Sequence, residues 1–226
     1  MTEGLGDTAL LELATLGRTQ HPDRALALAR AGGVAAPEAL ALGARDAALL
    51  RLRAARFGPV LACVETCPAC AAPLEFELDV AELLALCTVA EPEEVDLPSG
   101  RRWLRPLSTV DLLAAMALPR TEAQRALAEA AAAGAVEDAD LAAIEAWLEA
   151  ADPMACLTLD LDCAACGAAW GRPLDIASLF WAEAVADGRR VLREVHAMAC
   201  AYGWREAEVL ALPPARRQLY LEMIGA

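Results

Sequence analysis

Two pairs of cysteines, each separated by two residues, are the side chains of this sequence best suited to chemistry. Cys67 and Cys70 form the first pair, and Cys163 and Cys166 form the second. Two residues between thiolates let one tight turn aim both sulfurs at a single ion, and two such turns complete the tetrahedron that zinc prefers. The spacing therefore predicts one structural Zn²⁺ site made by all four cysteines, closed to substrate and not catalytic.

The distance along the chain between the two pairs is unusual for a zinc ribbon. Cys70 and Cys163 lie 93 positions apart, whereas compact ribbons place their pairs about 15–20 residues apart. We therefore expect residues 79–154 to be a mostly helical insertion that leaves the ribbon and returns to it. Because the entropy of closing a loop grows only logarithmically with its length, a metal ion can still join the pairs.

Other interpretations of the cysteines remain open at the level of sequence. The pairs could be half-sites completed between two chains, redox-active dithiols, or thiols without a ligand. The redox interpretation lacks the strand–helix context of thioredoxin-like proteins. The four remaining cysteines are expected to be buried packing residues; they are Cys63, Cys87, Cys156 and Cys200.

The elements that must position the two pairs are β-hairpins. Apolar and polar residues alternate next to each pair, which is typical of half-exposed strands, and each pair occupies the intervening turn. The pattern of residues 59–78 returns in residues 155–175, so these segments are predicted to be the two halves of a split zinc ribbon. Asp79 follows the first half and Asp175 ends the second, and each is expected to begin a helix.

Apolar residues at helical spacing predict that most of the remaining chain is α-helical. We expect residues 91–98 to be an acidic loop and residues 101–107 to be a strand. The helices are predicted at residues 23–30, 36–57, 79–87, 110–118, 141–150, 177–202, 204–212 and 215–224, with a further helix beginning at Thr121. The predicted fold class is α+β and mainly helical.

This pattern divides the chain into four parts that we expect to form one compact domain. Residues 1–58 are an N-terminal helical segment, in which His21 and Pro22 open the helix at 23–30. The split zinc ribbon and its insertion follow, and residues 176–226 are C-terminal helices. The first residues show no secretory signal, so we expect a cytoplasmic protein.

Charge and missing motifs restrict the function. The chain has 33 acidic and 19 basic residues, a net charge of −14, which repels phosphate backbones and suits a basic protein partner. No apolar run is long enough to span a bilayer. The phosphate-binding, dinucleotide-binding and common hydrolase motifs do not occur. We therefore expect no enzymatic activity, no small-molecule substrate, no nucleic acid and no membrane.

The last helices carry a candidate surface for a protein partner. Trp204, Arg216, Arg217 and Tyr220 combine the residue types that are enriched in binding hot spots. The alternative is that these side chains pack against the rest of the domain. The sequence leaves both interpretations open.

The ordered motifs resemble the baseplate hub assembly proteins of contractile phage tails and of phage-tail-like contractile injection systems. The resemblance spans roughly residues 43–224, with its middle poorly matched. It is carried by residues 51–53, 56–59, 67–70, 74–77, 163–167, 170, 175–181, 202–204 and 216–220.

This resemblance implies a non-enzymatic role, either as an assembly chaperone or as a minor component of the baseplate, with other tail-apparatus proteins as partners. It assigns no binding residues beyond the cysteines. The alternative functions are a zinc-ribbon nucleic-acid-binding or regulatory protein and a thiol–disulfide redox protein that uses the paired cysteines.

Overall fold

A computed structural model describes residues 4–16 and 23–225. It is a mixed α+β structure that is 56% helical, which confirms the predicted fold class. The helices are α1 (Asp7–Leu16), α2 (Arg24–Ala31), α3 (Leu42–Phe57), α4 (Val80–Ala85), α5 (Thr109–Met116), α6 (Arg120–Ala131), α7 (Leu141–Ala151), α8 (Ile176–Tyr202), α9 (Glu206–Leu210) and α10 (Pro214–Ile224). The strands are β1 (Val60–Thr66), β2 (Pro73–Asp79), β3 (Glu93–Leu97), β4 (Gly100–Leu104), β5 (Thr158–Asp162) and β6 (Ala169–Pro173).

The strands form three separate antiparallel hairpins, β1–β2, β3–β4 and β5–β6. The first and third are the hairpins predicted around the cysteine pairs. Asp79 begins α4 as expected, since its Oδ1 accepts the backbone N–H of Ala81 at 2.6 Å. Within the described residues, no helix combines the length and the hydropathy needed to cross a bilayer.

The chain divides into two compact units where the sequence predicted a single domain. Unit 1 consists of the described residues of 1–33 and 177–226, and unit 2 consists of residues 34–176. Each unit has its own apolar core. In unit 2 the core includes Leu104 and Ile144, and in unit 1 it includes Met198.

Three sequence-based boundaries differ from the structure. The acidic loop expected at residues 91–98 contains strand β3, because Leu97 belongs to the core of unit 2 and Val95 packs against it. The acidic residues of the strand, Glu93, Glu94 and Asp96, are exposed. Helix α3 begins at Leu42 and not at residue 36, and α1 was not predicted. The helix opening predicted at residues 21–22 lies outside the described residues.

The N-terminus of α3 is held by residues that are distant in sequence. Its preceding residue, Ala41, provides no side-chain cap. The backbone N–H of Leu42 donates instead to the carbonyl oxygen of Leu107 at 2.9 Å, and the N–H of Gly43 donates to Oδ2 of Asp152 at 2.8 Å. Because the first N–H groups of a helix have no partner within the helix, these bonds fix α3 to the insertion.

The C-terminus of α3 positions the first hairpin. The buried guanidinium of Arg53 donates through Nη1 to the carbonyl oxygens of Gly58 at 2.7 Å and Val60 at 2.6 Å. These charge-assisted bonds attach the end of α3 to the start of β1. The helix therefore orients the strand that leads to Cys67.

A methyl group at Gly43 should destabilise unit 2. A Cβ atom there would lie 1.9 Å from Oδ1 of Asp152 and 3.0 Å from Cβ of Met154, so the Asp152 carboxylate would have to leave its bond to the helix. We expect Gly43→Ala to lower the free energy of unfolding by about 2–3 kcal/mol in urea titration. Gly134→Ala, where the added Cβ meets open space, is the control. Equal stabilities of the two variants would contradict this packing argument.

Candidate metal centre

The loop between β1 and β2 aims two thiols at one point. Thr66 pairs with Pro73, which leaves a six-residue loop that carries both cysteines of the first pair. The N–H of Cys67 donates to the carbonyl oxygen of Ala72 at 2.9 Å, and the N–H of Ala71 donates to that of Cys67 at 2.9 Å. These two bonds close the turn.

The loop between β5 and β6 repeats this turn bond by bond. Cys163 donates its N–H to the carbonyl oxygen of Ala168 at 2.9 Å, and Gly167 donates to that of Cys163 at 2.8 Å. The residue after the second cysteine has a positive φ in both loops, 59° at Ala71 and 72° at Gly167. The sequence echo between the two segments therefore corresponds to a repeated local structure.

The four sulfurs of the two loops form one cluster. The Sγ–Sγ distance is 3.7 Å between Cys67 and Cys166 and 3.7 Å between Cys70 and Cys163, and all four sulfurs lie within 4.8 Å of one another. A disulfide would bring two sulfurs to about 2.05 Å, and all eight cysteines are free. Four sulfurs at about 2.3 Å from a central ion lie about 3.8 Å apart, so the spacing matches a tetrahedral metal site.

Burial within the cluster follows the repeat. The first cysteine of each pair is buried, with Cys67 1% exposed and Cys163 5% exposed. The second cysteine of each pair, Cys70 or Cys166, is exposed. An ion held by the four thiols would therefore be covered on one side and accessible to a chelator on the other.

The electrostatics of the cluster favour a cation. The backbone N–H of Cys70, together with that of Ala69, lowers the pKa of the Cys67 thiol to about 7 despite its burial. The backbone N–H of Ala168 acts in the same direction on Cys166, but the neighbouring thiols Cys70 and Cys163 outweigh it and raise the pKa of Cys166 to about 12. Thiols this close cannot all ionise by themselves, whereas a soft or borderline divalent ion would stabilise four thiolates together.

An ion pair also connects the two hairpins, and sequence reasoning missed it. Nε of Arg172, on β6, donates to Oε1 of Glu65, on β1, at 2.8 Å. Both side chains are partly exposed, so the pair contributes at most about 1 kcal/mol. The sequence did contain a signal for this pair, because an acidic and a basic residue lie close to the two cysteine turns.

The four cysteines outside the cluster do not share one environment. Cys63 is buried, as expected from the sequence, and Cys87 is half-buried. The prediction is wrong for Cys156 and Cys200, which are exposed. None of these thiols belongs to the cluster of four.

The aromatic residues of the proposed partner surface pack within unit 1. Trp204 stacks on Tyr202 with ring centroids 4.9 Å apart and meets Tyr220 edge to face, also at 4.9 Å. The hydroxyl of Tyr202 donates to the carbonyl oxygen of Tyr220 at 3.3 Å. Trp204 and Tyr220 are both half-buried, and they join the apolar core of this unit.

The two arginines of the same proposed surface differ completely in exposure. Arg216 is exposed, whereas Arg217 is only 1% exposed. Arg217 forms ion pairs with Asp7 and, at 2.8 Å, with Glu194. The expectation that Arg217 contacts a partner is therefore corrected, because its guanidinium is used inside unit 1.

The positive φ after each cysteine pair gives a prediction about stability. An L-residue with a side chain pays about 1–2 kcal/mol in the left-handed region, which glycine adopts freely. We therefore expect Ala71→Gly to raise the free energy of unfolding by about 1 kcal/mol and Gly167→Ala to lower it by a similar amount. Chemical denaturation of the metal-loaded protein measures both changes. Shifts of the same sign in the two variants would contradict the repeated geometry.

The cluster offers four thiol sulfurs that could hold one metal ion. Four thiolates would occupy every position of a tetrahedral ion and leave none for a substrate or an activated water molecule. Such a site holds segments together and performs no reaction itself. Comparison with known proteins adds no relative, since no family model, curated protein or solved structure matches the chain.

Proposed function

We propose that the four-cysteine cluster binds a structural Zn²⁺ ion and makes a split zinc ribbon of residues 59–78 and 155–175. Cys67, Cys70, Cys163 and Cys166 are its ligands. The ion acts as a clasp between two hairpins that are far apart in sequence, and the segment between them is held as a closed insertion.

The observation that carries this proposal is the 3.7 Å spacing of sulfurs from two separate hairpins. Thiols are the ligands that zinc and iron–sulfur centres use in closed sites, and zinc requires no redox chemistry to form one. The repeated turn supports the same conclusion, because both halves present their sulfurs in the same way.

We further propose that the clasped protein is a non-enzymatic assembly factor or minor structural component of the baseplate of a phage-tail-like contractile injection system. The resemblance described above supports this role, and the metal centre agrees with it because a closed thiolate site supplies stability and not catalysis. The partners are then other proteins of the tail apparatus.

The two alternative functions have less support in the geometry. A redox protein needs an exposed thiol of low pKa, but Cys67, whose pKa is lowered, is buried, while the exposed Cys70 and Cys166 have raised pKa values. A nucleic-acid binder needs arginines that are free to meet phosphates. Several arginines pair with carboxylates instead, among them Arg101 and Arg105.

The role is tested by finding what the protein binds in its own cell. The tagged full-length chain would be purified gently from its native host, and co-purifying proteins would be identified by mass spectrometry in free and sedimentable fractions. The Cys200→Ser variant, which changes an exposed thiol outside the cluster, is the matched control for the Cys67→Ser variant.

We expect baseplate, spike or sheath subunits to accompany the tagged protein and to be lost with Cys67→Ser only. Recovery in assembled particles would identify a component, and recovery in the soluble pool alone would identify an assembly chaperone. Recovery of nucleic acid, or of no tail subunit at all, would overturn the proposed role. The proposed zinc site would be unaffected by this result, because it is tested separately by metal analysis.

A further inference from the structure

A small hollow in unit 2 lies between α6, α7 and the start of α3, and none of the four clustered cysteines lines it. Its volume is about 180 Å³, and its wall is mainly apolar. Leu42, Leu127, Ile144 and Leu148 are among the side chains that line it. An apolar cavity of about 150 Å³ is large enough for benzene, so this one accommodates an unbranched chain of four or five carbons with a small head group.

A buried carboxylate gives the hollow a polar end. Asp152 lines it and is only 3% exposed. Its Oδ2 accepts the N–H of Gly43, whereas Oδ1 is buried and has no hydrogen-bond partner. Oδ1 lies against Gly43 and has almost no accessible surface, so Asp152 supplies the hollow with negative charge and not with a free acceptor.

Two exposed carboxylates add to this negative charge. Glu145 and Glu149 also line the hollow, and Nε2 of Gln124 donates to Oε2 of Glu145 at 3.1 Å. Cys156 is exposed as a residue, but partial desolvation of its sulfur, and then the charges of Glu149 and Asp152, raise the pKa of its thiol. Apolar walls with three carboxylates favour a group that has an aliphatic stem and a positive tip.

We propose that this hollow, which we call the α6–α7 hollow, receives a lysine side chain presented by a basic partner protein. Four methylene groups match the apolar walls, and the ammonium would donate to the exposed carboxylates of Glu145 and Glu149. The inference rests on the proposed function in that it supplies one contact between an interaction protein and its partner. The net charge of −14 complements a basic partner.

A tethered side chain fits this site better than a free amine does. A hollow of about 180 Å³ holds few ligand atoms, and small ligands of this kind bind at only about 1 mM. A lysine held by a larger interface does not depend on that contact alone. It would add specificity at one point of the interface.

The test uses NMR of the full-length ¹⁵N-labelled, metal-loaded protein. The probe is Nα-acetyl-lysine methylamide, and the matched control probe is Nα-acetyl-norleucine methylamide, which has the same stem without the ammonium. We expect the lysine probe to shift the amides of Ile144, Leu148 and Ala155 with a Kd of about 1 mM. The norleucine probe should bind at least about tenfold more weakly, because it has no positive charge to be attracted by the three carboxylates.

Variants identify the charges that are responsible. Asp152 also accepts the N–H of Gly43 at the start of α3, so a change there would alter the fold as well as the charge. Glu149→Gln is used instead because this side chain is exposed. We expect Glu149→Gln to weaken binding of the lysine probe several-fold. Glu122→Gln, an exposed acid on α6 that does not line the hollow, should leave the binding unchanged.

Three results would overturn the inference. The first is that the lysine probe leaves the NMR signals of the lining amides unshifted. The second is that both probes bind equally well. The third is that n-pentylammonium binds well where the lysine probe does not, since this result would assign the hollow to free amines. None of them depends on zinc content or on co-purification with tail proteins. A negative result for lysine binding in the hollow can therefore be distinguished from a negative result for the proposed function.

Discussion

Replacing Cys67 by serine should remove the metal and unfold the split ribbon. Cys67 is buried and belongs to the cluster of four thiols, and a hydroxyl is a poor replacement for a thiolate zinc ligand. Zinc bound by structural sites is worth about 10–16 kcal/mol in peptides, so losing a ligand should cost unit 2 about 4 kcal/mol or more. Elemental analysis should find about one zinc per chain in the wild type and less than about 0.3 in Cys67→Ser.

The control for this experiment is Cys200→Ser, since Cys200 is exposed and outside the cluster. It should keep both the zinc and the unfolding midpoint of the wild type. A strong chelator should reproduce the loss of stability in the wild type but have little further effect on Cys67→Ser. A wild-type protein with less than about 0.5 zinc per chain after anaerobic preparation would refute the clasp.

Truncating Arg217 to alanine should destabilise unit 1 by about 3–5 kcal/mol, because removing one member of a buried ion pair leaves uncompensated charge. The guanidinium is 1% exposed and faces the carboxylates of Asp7 and Glu194. Without it, Glu194 would keep its ion pair with Arg190, but both acids would lose the buried positive charge that faces them. Thermal and urea unfolding, followed by circular dichroism of the mainly helical unit, would measure the change.

The adjacent arginine is the matched control. Arg216 lies on the same helix and carries the same charge, but it is exposed, so Arg216→Ala should change the free energy of unfolding by no more than about 0.5 kcal/mol. If the two variants had similar stabilities, the buried role of Arg217 would be wrong. Loss of tail proteins with Arg216→Ala alone would place the partner surface at this exposed position.

The sequence was most informative where chemistry requires local spacing. Cys67 and Cys70, like Cys163 and Cys166, can reach one ion only from a tight turn, and alternating residues beside them specify strands. The hairpins and the cluster could therefore be predicted without a structure. The role of Asp79 as a helix N-cap could be predicted in the same way, because an N-cap depends on residues only two or three positions away.

Features that depend on distant partners could not be predicted in this way. Arg217 and Arg216 have the same side chain, and only the position of Asp7 and Glu194 in space separates the buried one from the exposed one. Strand β3 was mistaken for a loop because its acidic residues hide the alternation of Val95 and Leu97, which becomes meaningful only against the core of unit 2. The hollow beside Asp152 combines three helices and has no local signature.

Unit 1 is built from two segments that are distant in sequence, and this affects the order in which the protein can fold during synthesis. Unit 1 is made of two segments, one before and one after unit 2 in the sequence. Asp7 of the first segment pairs with Arg217 of the second, 210 positions later. At the usual speed of translation, about 5–20 residues per second, Arg217 is synthesised roughly 10–40 s after Asp7. During that time unit 2 can already emerge and fold, while Leu10 and Leu28, both fully buried in the finished protein, have no completed core. The nascent chain therefore passes through a stage in which its first helices are the part most in need of a chaperone.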